Sequence, residues 1–110
     1  MNAPREISPA EAAALVREGA VLVDIRETPE LREGIIPGAT HAPLSQLASA
    51  RIDAPGASTM IFHCKAGGRT KLNAAALMAK AAPCETLLLK GGIEAWREAG
   101  LPVQALSRGR

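Results

Sequence analysis

Ser58-Thr59-Met60-Ile61-Phe62-His63 is followed by Cys64-Lys65-Ala66-Gly67-Gly68-Arg69-Thr70 and then by the Ala/Leu-rich segment Lys71 to Ala82. A short apolar run bounded by turn residues reads as a buried strand, and the long Ala/Leu-rich segment after the glycines reads as a helix. Strand, glycine loop and helix in that order form half of a βαβ unit. The same alternation continues in both directions. Upstream, Ala20 to Ile25 is a near-continuous apolar run ending around Asp24, the pattern of a strand buried on both faces. Before it, Ser8-Pro9-Ala10-Glu11 reads as a capping box with proline at the first helical position, predicting a helix to about Glu18 that stops at Gly19. Between the two strands, Arg26 to Pro37 is polar and turn-rich with a short helix near Pro29 to Glu33, Ala39 to Ala42 fits a short strand, and Leu44 to Ala50 fits a helix. Downstream come a strand at Thr86 to Leu89 and a helix at Ile93 to Ala99, halted by Gly100 and Pro102. Strands and helices in alternation predict an α/β fold: an open parallel sheet of about five strands with helices on both faces. In such sheets ligands bind at the carboxyl ends of the strands, where Cys64 falls.

With 110 residues the chain is the size of one domain, and no linker, repeat or low-complexity tract divides it. The formal charge of +2 is spread along the chain, and Phe62 and Trp96 are the only aromatic residues that could stack on a base, so nucleic-acid binding is not expected. Two cysteines twenty residues apart and two histidines, His41 and His63, provide neither a disulfide framework nor a zinc-ligand spacing. Residues 1–6 lack an apolar signal core, and Leu72 to Pro83 is short and broken by Lys80, so no membrane span is predicted and the cytoplasm is the expected compartment. The basic end, Ser107 to Arg110, is expected to be a tail or the start of a further segment.

The chemistry concentrates at Cys64. A loop running from a strand into a helix turns successive amides inward, and those amides, the helix N-terminus, Lys65 and Arg69 all favour a thiolate. Gly67 and Gly68 suit a tight ring of amides, which needs positive φ and close backbone approach. The planar fork of Arg69 suits a sulfonate or phosphate, and Lys65 adds a point charge. Other polar residues fit plainer roles. Cys84, considered as a resolving cysteine for Cys64, falls at a helix-to-strand turn expected at the opposite end of the sheet. His41 and His63 read as structural, Trp96 and Leu101 as packing of the last helix, and Glu27, Glu30, Arg32 and Glu33 as a solvated face.

Four blocks together resemble a single-domain rhodanese of the thiosulfate sulfurtransferase superfamily. They are Val23-Asp24-Ile25-Arg26, Gly34-Ile35-Ile36-Pro37-Gly38-Ala39, Cys64 to Thr70, and Leu89-Lys90-Gly91-Gly92 with Trp96 and Gly100-Leu101-Pro102-Val103. The resemblance implies one rhodanese domain, its core spanning about residues 5–104 with 105–110 as tail. It also implies a double displacement needing no metal or organic cofactor. Cys64 would take sulfur from a small anionic donor such as thiosulfate and pass it from a persulfide to cyanide, a thiol or a protein acceptor. Lys65, Ala66, Gly67, Gly68, Arg69 and Thr70 would bind the substrate, with Asp24 and Arg26 supporting the loop by hydrogen bonds and ion pairing. Departures from the family pattern are Ile35 where histidine is usual, Thr70 where serine is common, and Ala82-Pro83-Cys84-Glu85 in place of a glycine turn. Two alternatives stay open: a noncatalytic docking or regulatory module, which commonly lacks the cysteine, and a cysteine phosphatase or arsenate reductase. The latter enzymes space cysteine and arginine one residue further apart than Cys64 and Arg69, making a ring for a tetrahedral oxyanion instead of a single sulfur.

Overall fold

In the computed structural model, which describes residues 3–106, five strands form one sheet in the order β1-β5-β4-β2-β3. They are β1 (Arg5–Ile7), β2 (Val21–Asp24), β3 (Thr40–His41), β4 (Thr59–His63) and β5 (Glu85–Leu89), and every neighbouring pair is parallel. The helices are α1 (Pro9–Arg17), α2 (Gly68–Leu72), α3 (Ala74–Ala81) and α4 (Gly92–Glu98), with 3-10 turns at Thr28–Glu33 and Leu44–Gln46.

Alternation along each strand divides the core in two. Leu22, Ile61, Leu87 and Leu89 point to one face, where Ala12 of α1 and Ile93 and Trp96 of α4 cover them. Val23, Met60, Phe62 and Leu88 point to the other and meet Leu77 and Ala81 of α3 and Leu47. Both faces are therefore buried, as the apolar runs of β2 and β4 require. The Trp96 indole donates to Pro102 O at 2.8 Å, tying the segment after α4 back onto that helix.

Several expectations change. β1 is a fifth strand that the local pattern does not reveal, because Arg5 and Glu6 leave Ile7 as its single apolar residue. Ser8 caps α1 through the Glu11 amide at 3.1 Å, but the Glu11 carboxylate takes Arg5 at 3.1 Å, so only half of the predicted capping box forms. The helix expected over 71–82 starts earlier and is two helices, α2 and α3, broken at Asn73 (φ −112°, ψ 22°), whose side chain donates to Arg69 O at 2.8 Å. Short amide side chains that compete for backbone carbonyls interrupt helices in this way. The helix expected over 44–50 reaches only Gln46. The amides of Leu44 and Ser45 are committed to Ile25 O and the Glu27 carboxylate, which draws the segment onto β2 and its loop.

Candidate active site

β4 ends at His63 and delivers Cys64 to the carboxyl edge of the sheet, beside the end of β2 at Asp24. The Cys64 sulfur is buried, with 1 % of the residue exposed. The Gly67 amide donates to it at 3.1 Å, and the Thr70 hydroxyl lies 4.0 Å away while bonding Gly67 O at 3.1 Å. Gly67 precedes α2 with φ +99°, so the left-handed conformation turns the chain sharply into the helix. The first amides of α2, those of Gly68, Arg69 and Thr70, are the ones that α-helical bonding leaves without internal partners. Only Gly67 of the two loop glycines has positive φ; Gly68 lies in the first turn of α2, with open space where a Cβ would stand.

A second glycine pair locks this loop. Gly91 (φ +77°) and Gly92 (φ +62°) lead into α4, whose Ile93 amide donates to Cys64 O at 2.9 Å and whose Glu94 amide donates to Lys65 O at 3.1 Å. With those carbonyls held on α4, the peptide planes of the cysteine loop are fixed. A Cβ on Gly92 would stand 2.5 Å from Cys64 O, so the close approach requires glycine. Gly91 and Gly92 carry a family block in the sequence, but nothing local to them reveals that they support the cysteine loop.

Both cations of the loop meet acidic partners on the 28–33 turn. Arg69 forms a two-pronged pair with Glu30, Nη1 to Oε2 and Nη2 to Oε1 at 2.7 Å each, while Lys65 faces Glu33 at 3.9 Å. The Arg69 guanidinium holds the Glu30 carboxyl down at about 2, and Glu30 in turn raises Arg69. Glu27 binds Ser45 through its hydroxyl at 2.6 Å and its amide at 3.1 Å, which lowers its pKa. The expectation of a purely solvated face over 27–33 is thus corrected at Glu27 and Glu30, whose carboxylates have fixed partners.

Beneath that turn lies a buried ion pair. Arg26 grips Asp24 through Nη2 at 2.9 Å and Nε at 3.1 Å, and its fork also donates to Glu30 O at 3.3 Å and Gly34 O at 2.8 Å. The pair therefore fixes the segment that carries Glu30. His63, fully buried, places Nδ1 3.1 Å from Cys64 O and Nε2 3.7 Å from Asp24 Oδ2, the second too long for a hydrogen bond. Burial pushes its pKa down, against the pull of the Asp24 charge. His41 bonds Arg26 O at 2.7 Å, and Ile35, standing where a histidine is usual, forms a backbone bridge with Gln104.

Cys84 precedes β5 at the amino edge of the sheet, since Glu85 pairs with Thr59, and its thiol faces Ala57 O at 3.4 Å. Six residues of extended chain, about 20 Å, separate that level from Cys64, far beyond disulfide reach. Among the described residues no group of three or more His, Cys, Asp or Glu side chains could hold a metal ion, and no helix is long and apolar enough to cross a membrane.

An open parallel α/β sheet with a buried cysteine in the glycine loop at its carboxyl edge defines the class: an α/β protein whose ligand site lies at that edge. Residues 8–99 match the rhodanese-like domain model, and the chain belongs to that family as a rhodanese-type enzyme. It is 34% identical over 88 residues to a sulfurtransferase of Allochromatium vinosum, covering 80% of this chain and 81% of that one. It is also 36% identical over 101 residues to the thiosulfate sulfurtransferase GlpE of Pseudomonas fluorescens, covering 88% of each. The crystal structure of a thiosulfate sulfurtransferase from Pseudomonas aeruginosa superposes with a TM-score of 0.79 at 28% identity, covering 94% of this chain and 20% of that one.

Proposed function

We propose that this protein moves sulfane sulfur from a small anionic donor such as thiosulfate to a thiophilic acceptor, through a persulfide on Cys64. The observation that carries the proposal is the buried Cys64 sulfur, bonded by the Gly67 amide at 3.1 Å inside a loop closed by the start of α2. The relatives named as sulfurtransferases support the substrate class. In the first step the Cys64 thiolate attacks the outer sulfur of thiosulfate. A new sulfur–sulfur bond forms, the bond to the sulfonate sulfur breaks, and its electron pair leaves with sulfite. In the second, cyanide, a thiolate or a protein thiolate attacks the terminal sulfur and the Cys64 thiolate returns. No net oxidation is needed.

Lys65, Ala66, Gly67, Gly68, Arg69 and Thr70 share the work of holding the transferred sulfur. The Gly67 amide, which donates to Cys64 Sγ, and the positive end of α2 stabilise negative sulfur through both steps, because it is anionic before and after each transfer. Lys65 and Arg69 supply positive charge for the donor's oxyanion, and Asp24 with Arg26 keeps the neighbouring loop in place. Four residues between Cys64 and Arg69 make a small ring, which favours a single sulfur over a phosphate. The reactive thiol also fits the reducing cytoplasm as the place of work. With thiosulfate and no acceptor, the protein should release one equivalent of sulfite per Cys64 and then stop, and Cys64→Ser should release none. Absence of that burst from the wild type would refute the persulfide route.

A further inference from the structure

Arg69 is the guanidinium best shaped to receive a sulfonate, yet its fork is closed on Glu30 with both contacts at 2.7 Å. A carboxylate bound in this two-pronged way offers the same pair of oxygens that a sulfonate would offer. Glu30 is no loose surface side chain. Its Oε2 accepts from the Glu27 amide at 3.0 Å, its carbonyl accepts from the buried Arg26 at 3.3 Å, and its residue sits within the Thr28–Glu33 turn. The pair stands at the mouth of the loop, with 35% of the Arg69 side chain and 26% of the Glu30 side chain exposed, so a dissolved anion can reach it.

We propose that Glu30 is a specificity-determining residue: it competes with the donor's oxyanion for the Arg69 fork. The site therefore disfavours donors that depend on a sulfonate for binding relative to thiol persulfides, which deliver sulfur without one. This rests on the sulfurtransferase function proposed above. Because Glu30 is prebound and ionised, a sulfonate gains only the difference between its own contact and the one it displaces. Removing the charge of Glu30 releases that competition.

The test uses the full chain as wild type, Glu30→Gln, Glu30→Asp and the double variant Glu30→Gln/Arg69→Gln. Sodium sulfate is titrated at constant ionic strength as a protectant of Cys64 against iodoacetamide, a readout that needs no sulfur transfer. Glu30→Gln should be protected at roughly fivefold lower sulfate, the scale of a partly exposed ion pair. Glu30→Asp, too short to keep both contacts, should fall between, and the double variant should lose the gain. In parallel, the KM for thiosulfate of Glu30→Gln should fall by a similar factor with kcat little changed, while the KM for a small alkyl persulfide stays put. Protection no better than wild type, or a gain that survives loss of Arg69, would overturn the role of Glu30. The expected sulfate shift without any sulfur loading of the wild type would instead refute the sulfurtransferase function and, with it, the meaning of Glu30 for donors.

Discussion

Gly92→Ala strikes the joint between α4 and the cysteine loop. Gly92 has φ +62°, and forcing an L-residue into that region costs about 1–2 kcal/mol. The added Cβ would stand 2.5 Å from Cys64 O and from the Lys65 carbonyl carbon, both backbone atoms, so the two segments have to part. Parting them weakens the bonds from Ile93 N to Cys64 O and from Glu94 N to Lys65 O, at about 0.5–1.5 kcal/mol each. The total is about 2–5 kcal/mol, a large share of the roughly 5–15 kcal/mol that holds a domain of this size, so the variant should fold but unfold at a lower urea midpoint. Gly100→Ala is the control, because Gly100 has φ +80° but open space around the Cβ position, and it should lose only the conformational share. Sulfur loading of Cys64 by thiosulfate, followed under single-turnover conditions, should slow about a hundredfold in Gly92→Ala, as expected for a displacement of about 1 Å at the reacting atom, and not in Gly100→Ala. Equal stability losses in the two variants, with Gly92→Ala still loading at the wild-type rate, would refute the idea that α4 sets the loop.

Arg26→Met should cost about 3–5 kcal/mol in urea unfolding, because Asp24 is left buried without its charge partner, whereas Asp24→Leu/Arg26→Met should recover most of that loss. A double variant no more stable than Arg26→Met would show that the loop contacts to Glu30 O and Gly34 O dominate instead. The pH dependence of stability should carry a signature of His63. Burial holds its folded pKa below the ordinary 6.5, so below that pH the unfolded chain binds the extra proton and stability falls as pH falls; above it the histidine has no effect. Urea midpoints measured from about pH 5 to about pH 8 should show this slope in the wild type and a flatter one in His63→Gln, and identical slopes would remove His63 as its source.

Much of the architecture is legible in local sequence because both periodicity and punctuation point the same way. The β2 and β4 runs are apolar on both faces, Pro9 and Gly19 bracket α1, and Gly100 follows α4 with positive φ. Cys64 is legible for the same reason, sitting where a buried strand meets a glycine turn. What escapes is set by contacts distant in sequence. β1 exists through its pairing with β5, since Arg5-Glu6-Ile7 has no strand pattern of its own. Asn73 breaks a helix that its alanine-rich neighbours would continue. Glu30 meets Arg69 across 39 positions, and among four charged residues in 27–33 nothing local distinguishes it. Gly92 is required by the carbonyls of Cys64 and Lys65, which only the fold brings to it.

The most direct measurement is the intact mass of the protein after incubation with thiosulfate and removal of excess donor. A gain of about 32 Da, one sulfur atom, that is reversed by dithiothreitol and absent from Cys64→Ser is the predicted result. An unchanged wild-type mass, or a gain that persists in Cys64→Ser, would contradict sulfur transfer through Cys64.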